Sequence, residues 1–265
     1  MTPDHPSDPP LRRVVTDLGP VMLTDTGSGP AILALHGAPG SHRDFRWLES
    51  ALGTRVRMIR PDLPGFGTTP WETHPERTPM SRARLIEPLL DALRIDRCVL
   101  LGHSLGGPLA IAASPSERVV GLVLVASPGV RPHRGYRMAQ PHLWSAVLDR
   151  RGMASLLRPI VRFSFNAAGF PRSTPYPDLV STLRCFGALD FVSMAVAVGA
   201  LQVPTFLTWS EDDPLIETRI SRELAALAPA GPRLGFSTGG HNIQKTRATE
   251  IGEALVPFVE GLFGA

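Results

Sequence analysis

Three stretches of this chain are apolar at every position: Ala31-Ile32-Leu33-Ala34-Leu35, Cys98-Val99-Leu100-Leu101 and Val119-Val120-Gly121-Leu122-Val123-Leu124-Val125. A strand with one wet face alternates apolar and polar residues. A run without alternation belongs to a strand covered on both faces, as in a parallel sheet between two layers of helices. Parallel neighbours need helical crossovers, and the intervening segments supply them. Phe45, Leu48 and Leu52 recur at helical spacing, as do Leu85, Ile86, Leu89, Leu90 and Leu93, where Pro88 is expected to kink the helix. With a further strand at Val56 to Arg60, the order is β-α-β-α-β. The predicted fold class is therefore α/β, a mostly parallel central sheet flanked by helices. Arg12 to Asp17 and Val21 to Thr26, around Leu18-Gly19-Pro20, predict an antiparallel hairpin at one edge.

The strand–helix rhythm stops between Gly129 and Val203, where the chain turns helical in pattern and rich in Phe, Met, Arg and Pro. It resumes with a strand at Pro204 to Trp209, a helix near Ile216 to Leu227, a strand near Arg233 to Phe236 and a closing helix from Ala248 to Phe263. The expected organisation is one core, residues 1–130 and 203–265, with a helical cap (lid) inserted at 131–202. A length of 265 residues, 43% hydrophobic and 19% charged, suits one such domain and its insertion. A net charge of +3 with no basic block argues against a nucleic-acid partner. No run reaches the roughly 18 apolar residues of a membrane span. Cys98 and Cys185 read as two free thiols of a reducing compartment, and the expected location is cytoplasmic.

Directly after the second apolar run comes Gly102-His103-Ser104-Leu105-Gly106, and directly after that Pro108-Leu109-Ala110-Ile111-Ala112, which reads as a helix. A serine on so sharp a strand-to-helix turn needs small neighbours, and its hydroxyl stands at a helix start where free N–H groups can stabilise an oxyanion. A serine hydroxyl is a poor nucleophile until an imidazole takes its proton and a carboxylate holds that imidazole in the right tautomer. Of the histidines after Ser104, only His241 follows a resumed strand, in the loop Thr238-Gly239-Gly240-His241-Asn242, so it is the candidate base. The carboxylate should lie at the end of the preceding strand, where Glu211, Asp212 and Asp213 compete.

These features together resemble the α/β-hydrolase superfamily, in the branch with a serine nucleophile and a cap domain. The resemblance spans nearly the whole chain: an H-G-x-P-G turn at His36 to Gly40, a D-x-P-G-x-G loop at Asp62 to Gly67, the elbow at Ser104, and the order Ser, Asp, His. It implies that the backbone N–H groups of Ala38 and Leu105 form an oxyanion hole and that His36 and His103 shape their loops. It maps the acid onto Asp213, although Ser210 stands where the family usually has a glycine, which keeps Asp212 in play. Epoxide hydrolases and haloalkane dehalogenases of the superfamily carry an aspartate at the elbow, which this chain lacks. The elbow and the H-G-x turn also differ from those of proline iminopeptidases.

The implied activity is hydrolysis of small to medium carboxylic esters through an acyl-enzyme, on a small apolar substrate. Carbon–carbon bond hydrolysis, lactonase, thioesterase or perhydrolase chemistry on the same triad are alternatives, as is a ligand-binding homologue of low activity. Within the cap, Trp144, Leu156, Phe163, Phe165, Phe170, Phe186, Phe191 and Met194 divide between an apolar substrate pocket and the packing of the insertion. Arg131, His133, Arg134 and Arg137 open the cap, either as a site for a substrate carboxylate or as a solvated face. No metal-ligand spacing and no phosphate-binding glycine motif is present, so no cofactor or metal is expected.

Overall fold

A computed structural model describes residues 8–69 and 78–264. Among them, eight strands form one sheet: β1 (Arg12–Thr16), β2 (Gly19–Thr26), β3 (Ala31–Leu35), β4 (Arg57–Pro61), β5 (Cys98–His103), β6 (Val119–Val125), β7 (Thr205–Ser210) and β8 (Arg233–Phe236). Their spatial order is β1-β2-β4-β3-β5-β6-β7-β8. β1 and β2 form the antiparallel hairpin at one edge, β2 runs antiparallel to β4, and every later pairing is parallel.

The absence of alternation in the three apolar runs has the cause inferred from it. Leu33, Leu35, Leu100, Leu122, Leu124 and Leu207 face one core cluster, with Leu89 and Leu90 of helix Ile86–Leu93, Leu109 and Ile111 of Gly106–Ala113, and Leu224 of Thr218–Leu227. Ile32, Ala34, Val99, Leu101, Val123, Val125 and Phe206 face the other, with Leu48 and Leu52 of Arg46–Leu52 and Ile251, Leu255 and Val259 of Ala248–Gly264. At about 25 cal/mol per Å² of apolar surface, double-sided burial is what makes β3, β5 and β6 the centre of the molecule.

Pro88 does not kink a long helix. The chain forms two helices, Pro79–Ala83 and Ile86–Leu93, and Pro88 falls in the first turn of the second. There its missing N–H would have had no helical partner, so proline marks a helix start rather than a bend.

Between β6 and β7 the chain forms helices Arg134–Ala139, Pro141–Leu148, Met153–Leu156, Arg158–Ala167, Tyr176–Gly187 and Phe191–Gly199. Most of them enclose a small cluster of their own, Leu148, Val161, Leu179, Val180 and Leu183. The last part of the insertion, with Cys185, Leu189, Met194, Val198 and Leu201, packs instead into the first core cluster. Among the described residues no single helix is long and apolar enough to cross a membrane.

Order reverses at β3: β4 lies on one side of it and β5 on the other. In an open parallel sheet the crevice at the carboxyl ends of two such strands is left uncovered by crossovers, which is where a ligand can enter.

Candidate active site

The carboxyl end of β5 delivers Ser104 in the left-handed region, φ +48°. A non-glycine residue there costs on the order of 1–3 kcal/mol, so the surroundings must impose it. They do so by hydrogen bonds and close approach. The Ser104 N–H donates to the Val125 carbonyl at 3.0 Å, and the Ser104 carbonyl accepts from the Gly107 N–H at 2.8 Å. A Cβ at Gly106 would lie 2.0 Å from the Leu35 carbonyl oxygen, and one at Gly102 would lie 2.5 Å from the Gly106 carbonyl oxygen. Only glycine lets the helix start this close to β3 and β5.

The loop after β8 brings His241 to this serine. Its Nε2 lies 2.9 Å from Ser104 Oγ and its Nδ1 lies 2.8 Å from Asp213 Oδ2. A carboxylate can only accept, so Nδ1 carries the proton and Nε2 presents a lone pair to the serine hydroxyl. The side chains of His241 and Asp213 are 13% and 2% exposed, which excludes most of the water that would screen the pair. Asp213 Oδ1 accepts from the N–H groups of Leu215 and Ile216 at 2.7 and 3.0 Å. Burial works to raise the Asp213 carboxyl, but the His241 ring and these two N–H groups outweigh it and hold it below the usual carboxylate range.

Asp212 makes no contact with the ring. Its Oδ1 accepts from the Ser210 hydroxyl and, at 2.7 Å, from the Gly240 N–H. It therefore ties the His241 loop to the end of β7 from the solvent side. Ser210, the residue that departs from the family's glycine, is one of the two groups it holds. Glu211 points away and pairs with Arg222.

Three further histidines lock the loops around the serine. His36, fully buried, donates from Nδ1 to the Gly37 carbonyl at 2.6 Å and accepts the Leu63 N–H on Nε2 at 2.9 Å, joining the turn after β3 to the loop after β4. Burial pushes it down to about 4. His42 and its own N–H both meet Asp62 Oδ1, while Asp62 Oδ2 accepts from the N–H and hydroxyl of Thr68. His103 donates from Nε2 to the His241 carbonyl at 3.1 Å, and burial pushes it down to about 3. Its other face lies on Gly37, where a Cβ would come within 3.0 Å of His103 Nδ1 and of the Ser104 Cβ. The H-G-x turn thus lies against the serine. Among the described residues neither the Ala38 nor the Leu105 N–H has a hydrogen-bond partner.

A small pocket opens beside this turn, lined by Gly37, Leu63, Phe66, Arg82, Leu105, Leu109 and Cys185 among others. Of the insertion aromatics read from sequence, none lines it. Phe163 and Leu156 point outward, 74% and 71% exposed, because Val161 and Phe165 take the inward side of their helical stretch. Trp144 and Phe165 pack on the insertion's own cluster, and Phe165 meets Phe170 edge to face. Phe186, Phe191 and Met194 join the first core cluster, with the Phe186 ring near His133 and the Phe191 ring against Tyr136. The insertion reaches the pocket through Cys185 instead. Leu63 and Phe66 lay within the D-x-P-G-x-G motif and could have been read from it, whereas nothing local marks Arg82 or Cys185.

The cluster that opens the insertion is engaged with the core. Arg131 pairs with Glu223 and Arg137 with Glu217, which also accepts the Arg134 N–H, while His133 bonds the Leu215 carbonyl next to Asp213. These contacts anchor the first turn of the insertion beside the loop that carries Asp213. The guanidinium groups of Arg131 and Arg137 are taken up by core carboxylates, while among the described residues that of Arg134 meets only the Pro214 carbonyl at 3.4 Å.

Residues 21–228 match the family described as "Alpha/beta hydrolase of unknown function (DUF1057)". The chain is 34% identical to the 2-hydroxy-6-oxo-6-phenylhexa-2,4-dienoate hydrolase of Burkholderia cepacia, covering 90% of this chain and 91% of that one. It is 26% identical to the magnesium-chelatase 30 kDa subunit of Rhodobacter capsulatus, over 92% and 93%. Among solved structures, a thermophilic esterase from Thermogutta terrifontis superposes with a TM-score of 0.74 at 21% identity, covering 96% of this chain and 99% of that one.

Proposed function

We propose that this chain, which belongs to the α/β-hydrolase family, is a serine hydrolase that cleaves small to medium carboxylic esters through an acyl-enzyme intermediate. The observation that carries the reading is the continuous relay from Asp213 through His241 to Ser104, with contacts of 2.8 and 2.9 Å. Ser104 Oγ attacks the acyl carbonyl as its proton passes to His241 Nε2. Asp213, held ionised by its own hydrogen bonds, stabilises the imidazolium. The unpartnered N–H groups of Ala38 and Leu105 receive the oxyanion. His241 then protonates the leaving alcohol, and the same base activates water for deacylation. Helices 131–202 act as a cap, and the apolar wall of Leu63, Phe66, Leu105 and Leu109 favours a small apolar acyl group over a charged one.

Carbon–carbon bond hydrolysis is the second reading. The Burkholderia relative favours it. A fluorophosphonate probe and a panel of p-nitrophenyl esters separate the possibilities. Labelling of Ser104 with turnover of short esters is the expected result. Labelling with turnover of a vinylogous diketone alone would move the assignment to the second reading. A folded protein whose Ser104 never labels would be a binding protein rather than an enzyme.

A further inference from the structure

We propose that Arg247, six residues beyond His241, is a positioning residue that clamps the loop carrying the base, so that the His241 ring meets Ser104 and Asp213 at the same time. The proposal rests on the serine-hydrolase reading, in which His241 is the base.

The loop needs a hold from outside itself. It leaves β8 as Ser237-Thr238-Gly239-Gly240-His241, and Gly239 and Gly240 take φ +154° and +68°. A glycine reaches such conformations freely and leaves them as freely. Two glycines in a row therefore fix no direction for the residue that follows. His241 nevertheless has to satisfy two contacts at once, 2.8 Å to Asp213 and 2.9 Å to Ser104, and a small displacement of the ring breaks one of them.

Side chains from other elements close what the backbone leaves open. Arg247 Nε donates to the Thr238 carbonyl at 2.9 Å, and its Nη2 donates to Thr238 Oγ1 at 2.7 Å. Two parallel donors on a rigid plane fix the orientation of Thr238 as well as its distance. The Thr246 hydroxyl donates to the Gly239 carbonyl at 2.7 Å, Asp212 accepts the Gly240 N–H, and His103 meets the His241 carbonyl. Four consecutive residues are thus each held by one side chain. Arg247 holds the first, where the loop departs from β8.

The stem of the arginine contributes as well. A Cβ on Gly239 would lie 3.3 Å from Arg247 Cγ and 3.0 Å from Ile243 Cγ2, so the aliphatic stem lies against the Gly239 backbone while the head holds Thr238. Arg247 is itself fixed. It stands at the junction of helices Ile243–Thr246 and Ala248–Gly264, its N–H donates to the Ile243 carbonyl at 2.8 Å, and its guanidinium lies over the Phe236 ring at 5.5 Å. Helix Ala248–Gly264 is seated in the second core cluster through Ile251, Leu255 and Val259, so the clamp ties the loop to the core. The pair with Glu250 at 3.0 Å is largely open to solvent and contributes little by comparison.

Steady-state kinetics on p-nitrophenyl acetate, read beside amide hydrogen exchange and Tm of the full chain, tests the clamp. Arg247→Gln should lower kcat about 30-fold at unchanged KM. It should also speed exchange in the peptide spanning residues 237–242. Arg247→Lys, which keeps the charge and one donor but not the fork, should recover part of the lost kcat. Thr238→Val removes one of the two bonds at an exposed position and should lower kcat in the same direction without changing Tm. Glu250→Gln, which breaks the ion pair and leaves both Thr238 contacts, should keep the parent's kcat and exchange. A lower Tm for Arg247→Gln with the parent's kcat would mean an arginine that only stabilises the fold, and would overturn the proposal. So would unchanged exchange, or a Glu250→Gln enzyme as slow as Arg247→Gln. A parent that turns over no ester would sink the hydrolase reading separately, and exchange alone would then judge the clamp: faster in Arg247→Gln upholds it, unchanged overturns it.

Discussion

Asp212 and Asp213 are adjacent in sequence and opposite in what they hold. Asp213 grips the His241 ring with one oxygen and two backbone N–H groups with the other; Asp212 grips Gly240 and Ser210 and never reaches the ring. Asp213→Asn is expected to lower kcat by up to about 10⁴-fold, because an amide stabilises the wrong ring tautomer. Asp212→Asn should have a far smaller effect, since its amide oxygen can still accept the Gly240 N–H. Steady-state kinetics on the two variants side by side reads this out, and a crippled Asp212→Asn with a near-normal Asp213→Asn would reverse the assignment. The pH profile follows from the same contacts. Asp213 stays ionised, and His36 and His103, pushed down to about 4 and about 3, stay neutral across the mildly acid range. kcat/KM should therefore show no limb from these three groups in that range, measured with the protein shown to be folded. His103 meets His241 through the backbone carbonyl and, ring to ring, at 5.2 Å between centroids. His103→Phe should lower kcat about tenfold at unchanged KM by loosening the His241 loop, and His103→Gln, which keeps a side-chain N–H, should recover part of it. Sequence alone proposed the serine, the histidine and three competing acids. The choice among the acids depended on which carboxylate the turn after β7 directs inward, a matter of a single residue's orientation.

Elements meet across the site at one unusual contact. Asp178, in the first turn of helix Tyr176–Gly187, is 8% exposed and accepts the Gly67 N–H at 3.4 Å, while a Cβ on Gly67 would strike Asp62 Oδ2 at 2.3 Å. Two carboxylates therefore flank one glycine where the insertion meets the loop after β4. Burial, with Asp62 adding repulsion, pushes Asp178 up to about 6, whereas an aspartate in an unfolded chain titrates near 3.9. A group whose folded value is raised stabilises the fold below its unfolded value and loses that contribution as pH rises through the folded one. Above about pH 6 the ionised, buried side chain is thus a net cost. Asp178→Asn should be the more stable protein at about pH 8, by on the order of 2 kcal/mol or several degrees in Tm, and the difference should vanish by about pH 4. Parallel thermal unfolding of both proteins across that range checks it; a variant less stable at every pH would mean that the carboxylate is needed for the contact itself. Helical spacing and motif spacing each announced one side of this contact. Neither announced that the two sides touch, because no pattern in either segment refers to the other.

At the scale of the whole molecule, the sheet is buried on both faces, which predicts an unusual equality. Leu100 and Leu101 are neighbours on β5, both 0% exposed, and face different clusters. Leu100→Ala and Leu101→Ala should each cost about 2–5 kcal/mol in denaturant unfolding, whereas in a sheet with one wet face one of the two would be nearly neutral. The sequence by itself determined this layering, together with the edge hairpin, the helical insertion and the strand-to-helix turn at Ser104. Each of these is written in short-range terms: runs without alternation, helical spacing, and glycines where backbone must approach backbone. Only the tertiary structure decided that Pro88 begins a helix, that Phe163 and Leu156 face solvent while Cys185 and Arg82 reach the pocket, and that Asp213 rather than Asp212 meets His241. An aromatic at helical spacing is apolar whichever way its face turns. The direction it takes depends on what a distant segment leaves uncovered, and that is a property of the packed chain.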